Sequence, residues 1–172
     1  MISNKMEKSL NEQIAMEGAA SQKYLAMSIW CGSAGLDGAA NFFLHHSDEE
    51  RMHMMKLVRY LQDADKEPII PAYEKPKSDY KDIHEVVAIA YKSEQSVTQS
   101  IYELVDLALK DKDHQTHNFL QWYVSEQLEE EALMRQIIDK IKIIGDGSHS
   151  LFYIDQVLTD FAAADAAGEE PA

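Results

Sequence analysis

KEPIIPAYEKPKSDY, residues 66–80, holds three of the chain's four prolines and is the longest stretch without helical periodicity. Proline lacks a backbone N–H and fixes its own φ, so this stretch cannot continue a helix from either side. Before it lie two segments of helical pattern, 5–33 and 38–65, separated only by a break rich in glycine (Gly32, Gly35, Gly38). After it come 82–110 and 114–144, again with a short break, and then a short fifth helix over 149–162. Short breaks make neighbouring helices antiparallel, whereas a long proline-bearing link can cross the length of a bundle and leave the second and third helices parallel. Helices of roughly 28 residues are about 42 Å long, which suits a long bundle. The expected fold is therefore all-α: a four-helix bundle with one long crossover and a short C-terminal helix, forming one domain over 1–162. The remainder, 163–172, is small and acidic and is expected to fray.

Composition narrows the chemistry. Sixteen Lys and Arg against thirty Asp and Glu give a net charge of −14, which repels nucleic acid and anionic membranes and favours accumulation of cations. The start, MISNKMEKSLNEQ, has no signal-peptide core, and no window is apolar enough for a membrane span, so a cytoplasmic protein is expected. The single cysteine, Cys31, excludes an intramolecular disulfide and any cysteine-built zinc or iron site. A metal here has to be held by oxygen and nitrogen.

Alternate steps of four and three residues trace the inward stripe of a bundled helix. The third helix gives Ile83, Val87, Ala90, Glu94, Val97, Ile101, Leu104 and Ala108, an apolar seam broken by one acid. The first gives Leu10, Ile14, Glu17, Ser21, Tyr24, Ser28 and Cys31; the second gives Phe43, His46, Glu50, His53, Leu57 and Tyr60. The fourth gives Leu120, Tyr123, Gln127, Glu130, Met134, Ile137, Ile141 and Ile144. A single Glu on such a stripe is commonly a side chain that snorkels to solvent, and a lone Glu-x-x-His is mostly coincidence. Four helices agreeing is a different matter. An ionised carboxylate in a dry interior costs several kcal/mol, and no Lys or Arg stands at these seam positions to offset it. Two divalent cations would neutralise Glu17, Glu50, Glu94 and Glu130, with His53 adding a nitrogen one turn from Glu50. Oxygen-rich ligation with one imidazole suits iron first and manganese second, better than zinc or calcium.

With these residues in place the chain resembles the bacterial non-haem ferritins, most closely in NFLQWYVSEQLEEE (118–131), LNEQ (10–13), the stretch from Tyr24 to Trp30, and EERMHMM (49–55). The resemblance implies a ferritin-like bundle assembling into a shell of twenty-four subunits, which oxidises Fe(II) with dioxygen or hydrogen peroxide and stores it as a ferric mineral. It implies that Glu17, Glu50 and His53 form a first iron position with Glu50 bridging, and that Glu94 and Glu130 form a second. Glu49, Glu126 and Glu129 correspond to a third, outer position that shares Glu130. Tyr24 matches a tyrosine beside the first position that is assigned electron donation, and Gln127 a supporting amide.

Departures from relatives are informative too. Haem-binding bacterioferritins carry a second Glu-x-x-His on the fourth helix, where this chain reads Gln127-Leu128-Glu129-Glu130, and a Met after the bridging Glu, where it has Arg51; haem is not expected. Rubrerythrin-like peroxidases, the alternative enzyme class, usually need that second His and a cysteine-rich domain. A purely structural bundle with remnant acids and a DNA-protecting mini-ferritin are further alternatives; the latter builds its site between subunits. Read alone, Glu49, Glu126 and Glu129 are an ordinary solvated charge run, and His46 is a hydrogen-bonded core histidine. Asp113 is expected to cap the fourth helix. Gly18 directly after Glu17 leaves a local gap beside the site.

Overall fold

Side-chain caps and tight turns set the helix ends. A computed structural model describes residues 2–168, with side chains described through residue 164. The five helices are α1 (Asn4–Ser33), α2 (Asp37–Asp63), α3 (Ile83–Asp111), α4 (His114–Ile144) and α5 (Ser150–Gly168), with no strand among the described residues. Ser3, Asp82 and Asp113 begin α1, α3 and α4 by accepting from the amides of Met6, Glu85 and Thr116, each meeting one of the donors a helix start leaves bare. Gly145, at φ 64°, ends α4 in a conformation that glycine adopts without a Cβ penalty. α2 follows Leu36, which offers no side-chain cap. Its Ala39 amide instead donates to Asp155 of α5 at 2.9 Å.

Two apolar clusters fix the helix directions. One joins the C-terminal half of α1 (Tyr24, Met27, Cys31), the start of α2 (Ala39, Phe42, Phe43), the start of α3 (Ile83 to Ala90), the end of α4 (Met134, Ile137, Ile141) and Ile154 and Leu158 of α5. The other joins the start of α1 (Met6, Leu10, Ile14), the end of α2 (Leu57, Leu61), the end of α3 (Val97 to Ala108) and the start of α4 (Leu120, Tyr123). So α1 and α2 run antiparallel, α3 and α4 run antiparallel, and α2 and α3 run parallel, as the long crossover requires. Gly38 lets α5 lie close on α2, because a Cβ there would overlap the Thr159 hydroxyl and the Asp155 carbonyl. α5 runs on to Gly168, past the expected end at 162; the last four residues of the expected tail lie outside the described residues.

The gap expected at Gly18 is closed. A Cβ at that position would overlap the phenol of Tyr73, which reaches in from the crossover and places its hydroxyl 3.4 Å from Met54 Sδ.

Candidate metal centre

Between the two apolar clusters lies a layer of acids. Glu17, Glu50, Glu94 and Glu130 are all buried, as are His46, His53 and Gln127. A reciprocal serine clasp holds α1 against α2 at this level: Ser21 Oγ donates to the Ser47 carbonyl at 2.7 Å, and Ser47 Oγ to the Ser21 carbonyl at 2.8 Å. Ser21 is one turn from Glu17 and Ser47 one turn from Glu50, so the clasp brings those two acids together. On the far side, Tyr123 donates to the His53 carbonyl at 2.7 Å and ties α4 to α2.

The first group is Glu17, Glu50 and His53, whose ligand-type atoms lie within 4.8 Å of one another. His53 Nδ1 is 3.4 Å from Glu50 Oε2. Burial, reinforced by the field of neighbouring acids, pushes both Glu17 and Glu50 well above the usual carboxylate range. Glu17 Oε2 and Glu50 Oε2 are buried without a hydrogen-bond partner. Buried anionic oxygens normally find donors, and a divalent cation would satisfy these.

The second group is His46, Glu49 and Glu130, also within 4.8 Å. His46 Nε2 lies 3.6 Å from Glu130 Oε2, and its Nδ1 is 3.1 Å from the Phe42 carbonyl. Burial opposes a charge on His46, but the contact with Glu130 and the fields of Glu49 and Glu94 outweigh it and raise the imidazole to about 9. Burial likewise raises Glu130, and the His46 contact more than offsets it, leaving Glu130 below its ordinary value. The sequence shows His46 as a core histidine with a hydrogen bond; the structure adds that its other nitrogen faces the acid layer. Glu94 stands between the groups. It accepts from Gln127 Nε2 at 3.1 Å and from the Tyr24 hydroxyl, and its carboxyl is raised by burial and by Glu130.

The residues expected at an outer position are only partly assembled. Glu49 joins His46 and Glu130, Glu126 Oε1 lies 3.9 Å from His53 Nε2, and Glu129 is exposed and belongs to neither group. Tyr24, two turns along α1 from Glu17, hydrogen-bonds Glu94. Burial and the fields of Glu94 and Glu50 hold its phenol well above the ordinary tyrosine value.

Two contributors have no signature in the seam. Gln13, fully buried, donates to Glu17 Oε1 at 2.9 Å. Lys23 donates to Ser93 Oγ at 2.6 Å from outside the layer; burial lowers its ammonium against the attraction of Glu94 and Glu50. Gln13 closes the LNEQ stretch, but that motif gives it no role, and only the i,i+4 spacing of Gln13 and Glu17 hints at the contact; nothing in the sequence marks Lys23.

Buried, histidine-flanked carboxylates contributed by both helical hairpins of one bundle define the class: a helical carboxylate protein whose side-chain groups could hold metal ions. Comparison with known proteins agrees. The Ferritin-like domain family model matches residues 7–144, and the chain belongs to the ferritin family. It is 44% identical to the bacterial non-heme ferritin of Campylobacter jejuni over 94% of this chain and 97% of that one. It is 42% identical to that of Escherichia coli O6:H1 over 92% and 96%. The open pore ferritin of Archaeoglobus fulgidus superposes with a TM-score of 0.89 at 37% identity, covering 92% of this chain and 98% of that one. No described helix is long and apolar enough to cross a membrane.

Proposed function

We propose that the protein is an iron-storage ferritin that oxidises Fe(II) at an intrachain di-iron centre and keeps the product as a ferric oxyhydroxide mineral inside a shell of twenty-four subunits in the cytoplasm. The observation that carries this reading is the acid layer, in which Glu17 Oε2, Glu50 Oε2 and Glu130 Oε2 are buried with no donor within hydrogen-bond distance, His46 Nε2 standing 3.6 Å from the last. Its support from kinship is the close similarity to bacterial non-heme ferritins over nearly the whole chain.

Fe(II) is the substrate. Glu17 and His53 hold one ion, Glu94 and Glu130 the other, and Glu50 bridges. Each Fe(II) gives up one electron, and four such electrons with four protons reduce one dioxygen to two waters; hydrogen peroxide, which takes two electrons, serves as an alternative oxidant. Hydrolysis of the ferric product returns protons to solvent. Hard carboxylate oxygens suit both oxidation states, and a bridging carboxylate can change its mode of binding as the charge rises. Gln127 holds Glu94 in place, and Tyr24, bonded to the same carboxylate, is placed to supply an electron. Glu49 and Glu126, with Glu129 swinging in, offer a third iron position at the edge of the centre.

Aerobic Fe(II) addition to metal-free protein, followed by size separation and joint assay of iron and protein, tests storage. Retention far above the few ligand positions per chain in a large particle is expected; retention of site-bound ions alone, or a small particle, would point to a di-iron peroxidase or oxidase without storage. Glu130→Ala is expected to slow rapid oxidation at least tenfold while assembly persists, and unchanged oxidation kinetics would remove Glu130 from the centre.

A further inference from the structure

Glu17 and Glu94 are each gripped by a glutamine amide, and the sequence assigns a supporting role to only one of the two glutamines. Gln127 on α4 holds Glu94. Gln13 on α1 holds Glu17 Oε1 at 2.9 Å, while Glu17 Oε2 is buried without a hydrogen-bond partner, and the carboxylate lies within 4.8 Å of ligand atoms of Glu50 and His53. When Glu17 is ionised, as a ligand must be, it can only accept, so the NH₂ group faces it and the Ser100 hydroxyl of α3 donates to Gln13 Oε1 from behind at 2.5 Å. Gln13 is fully buried, so no water competes for the bond. The donor is also uncharged: it occupies one oxygen of Glu17 without neutralising the anion, as a lysine or arginine there would.

We propose that Gln13, locked by Ser100, is the positioning residue of the first metal position, tethering Glu17 Oε1 so that the carboxylate ligates through Oε2 alone. This rests on the reading of Glu17, Glu50 and His53 as a cation site. Partners that orient a ligand in this way typically control metal affinity by about ten- to hundredfold. A tethered Oε1 keeps Glu17 from chelating with both oxygens, which keeps a coordination position open on that ion for the oxidant.

The test is an anaerobic Co(II) titration of the metal-free assembled protein, followed by cobalt visible absorption and by tryptophan emission. Trp122 reports the first position because its ring packs edge-on against His53 at 5.3 Å. In Gln13→Met, which keeps length and loses the donor, the emission-detected step should weaken about ten- to hundredfold. The second step should stay put. The cobalt bands of the first-bound ion should also lose intensity, as Glu17 becomes bidentate and coordination number rises. Ser100→Ala, which keeps the amide and frees its carbonyl, should shift the same step by about two- to tenfold. Equal weakening of both steps with unchanged bands would mean a packing role, and an unmoved first step in either variant would likewise overturn the proposal. Should Gln13→Met fail to assemble, the Ser100→Ala result decides alone. If the unaltered protein binds no Co(II), it is the cation-site reading that falls, an outcome distinct from failure of the tether.

Discussion

Glu17 and Glu130 occupy the same acidic layer at opposite corners and are treated in opposite ways. Glu17 meets an amide and other acids, and its carboxyl is pushed well up. Glu130 meets an imidazole, and its carboxyl is held down. Burial among other acids thus disfavours charge at one corner, and the facing imidazole favours it at the other. Buried carboxylates of identical chemistry take their charge state from the group facing them, so a count of acids in the seam does not give the charge of the layer.

Three experiments can break or sharpen this contrast. The largest effect is expected for Glu50→Ala, which removes the carboxylate proposed to bridge the two metal positions. Affinity for Co(II) should fall by at least about 100-fold at both positions, more than loss of any supporting residue, and the metal-free protein should melt higher because a desolvated acid is gone. Loss at one corner alone in equilibrium titration would show that Glu50 does not bridge.

Next comes a matched pair. His46→Gln strips Glu130 of its cation and should destabilise the metal-free protein by about 3 kcal/mol, the order expected when one member of a buried ion pair is removed. His53→Gln should cost about 1 kcal/mol or less and act instead on metal binding at the first corner. Denaturation curves of the two variants beside the parent decide it; equal losses would erase the distinction between the corners.

The smallest effect is in pH. His46 is raised from 6.5 to about 9, so its stabilisation is fully present below 6.5 and is lost as pH rises through about 9. Glu17 and Glu50 are also raised, and their native-state protons stabilise the fold at low pH and are lost as pH rises through the shifted values. Both contributions have the same sign. The metal-free protein should melt a few degrees lower at pH 9 than at pH 6.5, roughly what 1 to 2 kcal/mol produces in a domain of this size. His46→Gln should flatten that slope, and a melting temperature that rises with pH would contradict the ion pair.

Most of the architecture was legible in the chain because it rests on periodicity. The seam positions are buried from Leu10 to Ile141, with Tyr60 and Ile144 half-buried at the ends, and the prolines of the crossover marked the link across which successive bundle helices keep the same direction. Asp113 caps α4 as its place in the sequence indicated. What stayed hidden depends on contacts between distant segments. Asp155 caps a helix 116 residues away, Ser100 locks an amide 87 residues away, and neither residue differs in type from its exposed neighbours. His46 was visible on the stripe, but which nitrogen faced Glu130 depended on the rotation of α2 against α4.

The seat of Tyr73 over Gly18 bears on how this protein can be recombined with its relatives. A first helix bearing any side chain at position 18 would push the Tyr73 phenol out of its seat, and a crossover with a small residue at 73 would leave a hollow beside Gly18. Either exchange alone produces a misfit next to a metal ligand, whereas moving both together preserves the joint. The two positions thus act as one steric unit, although fifty-odd residues of chain separate them.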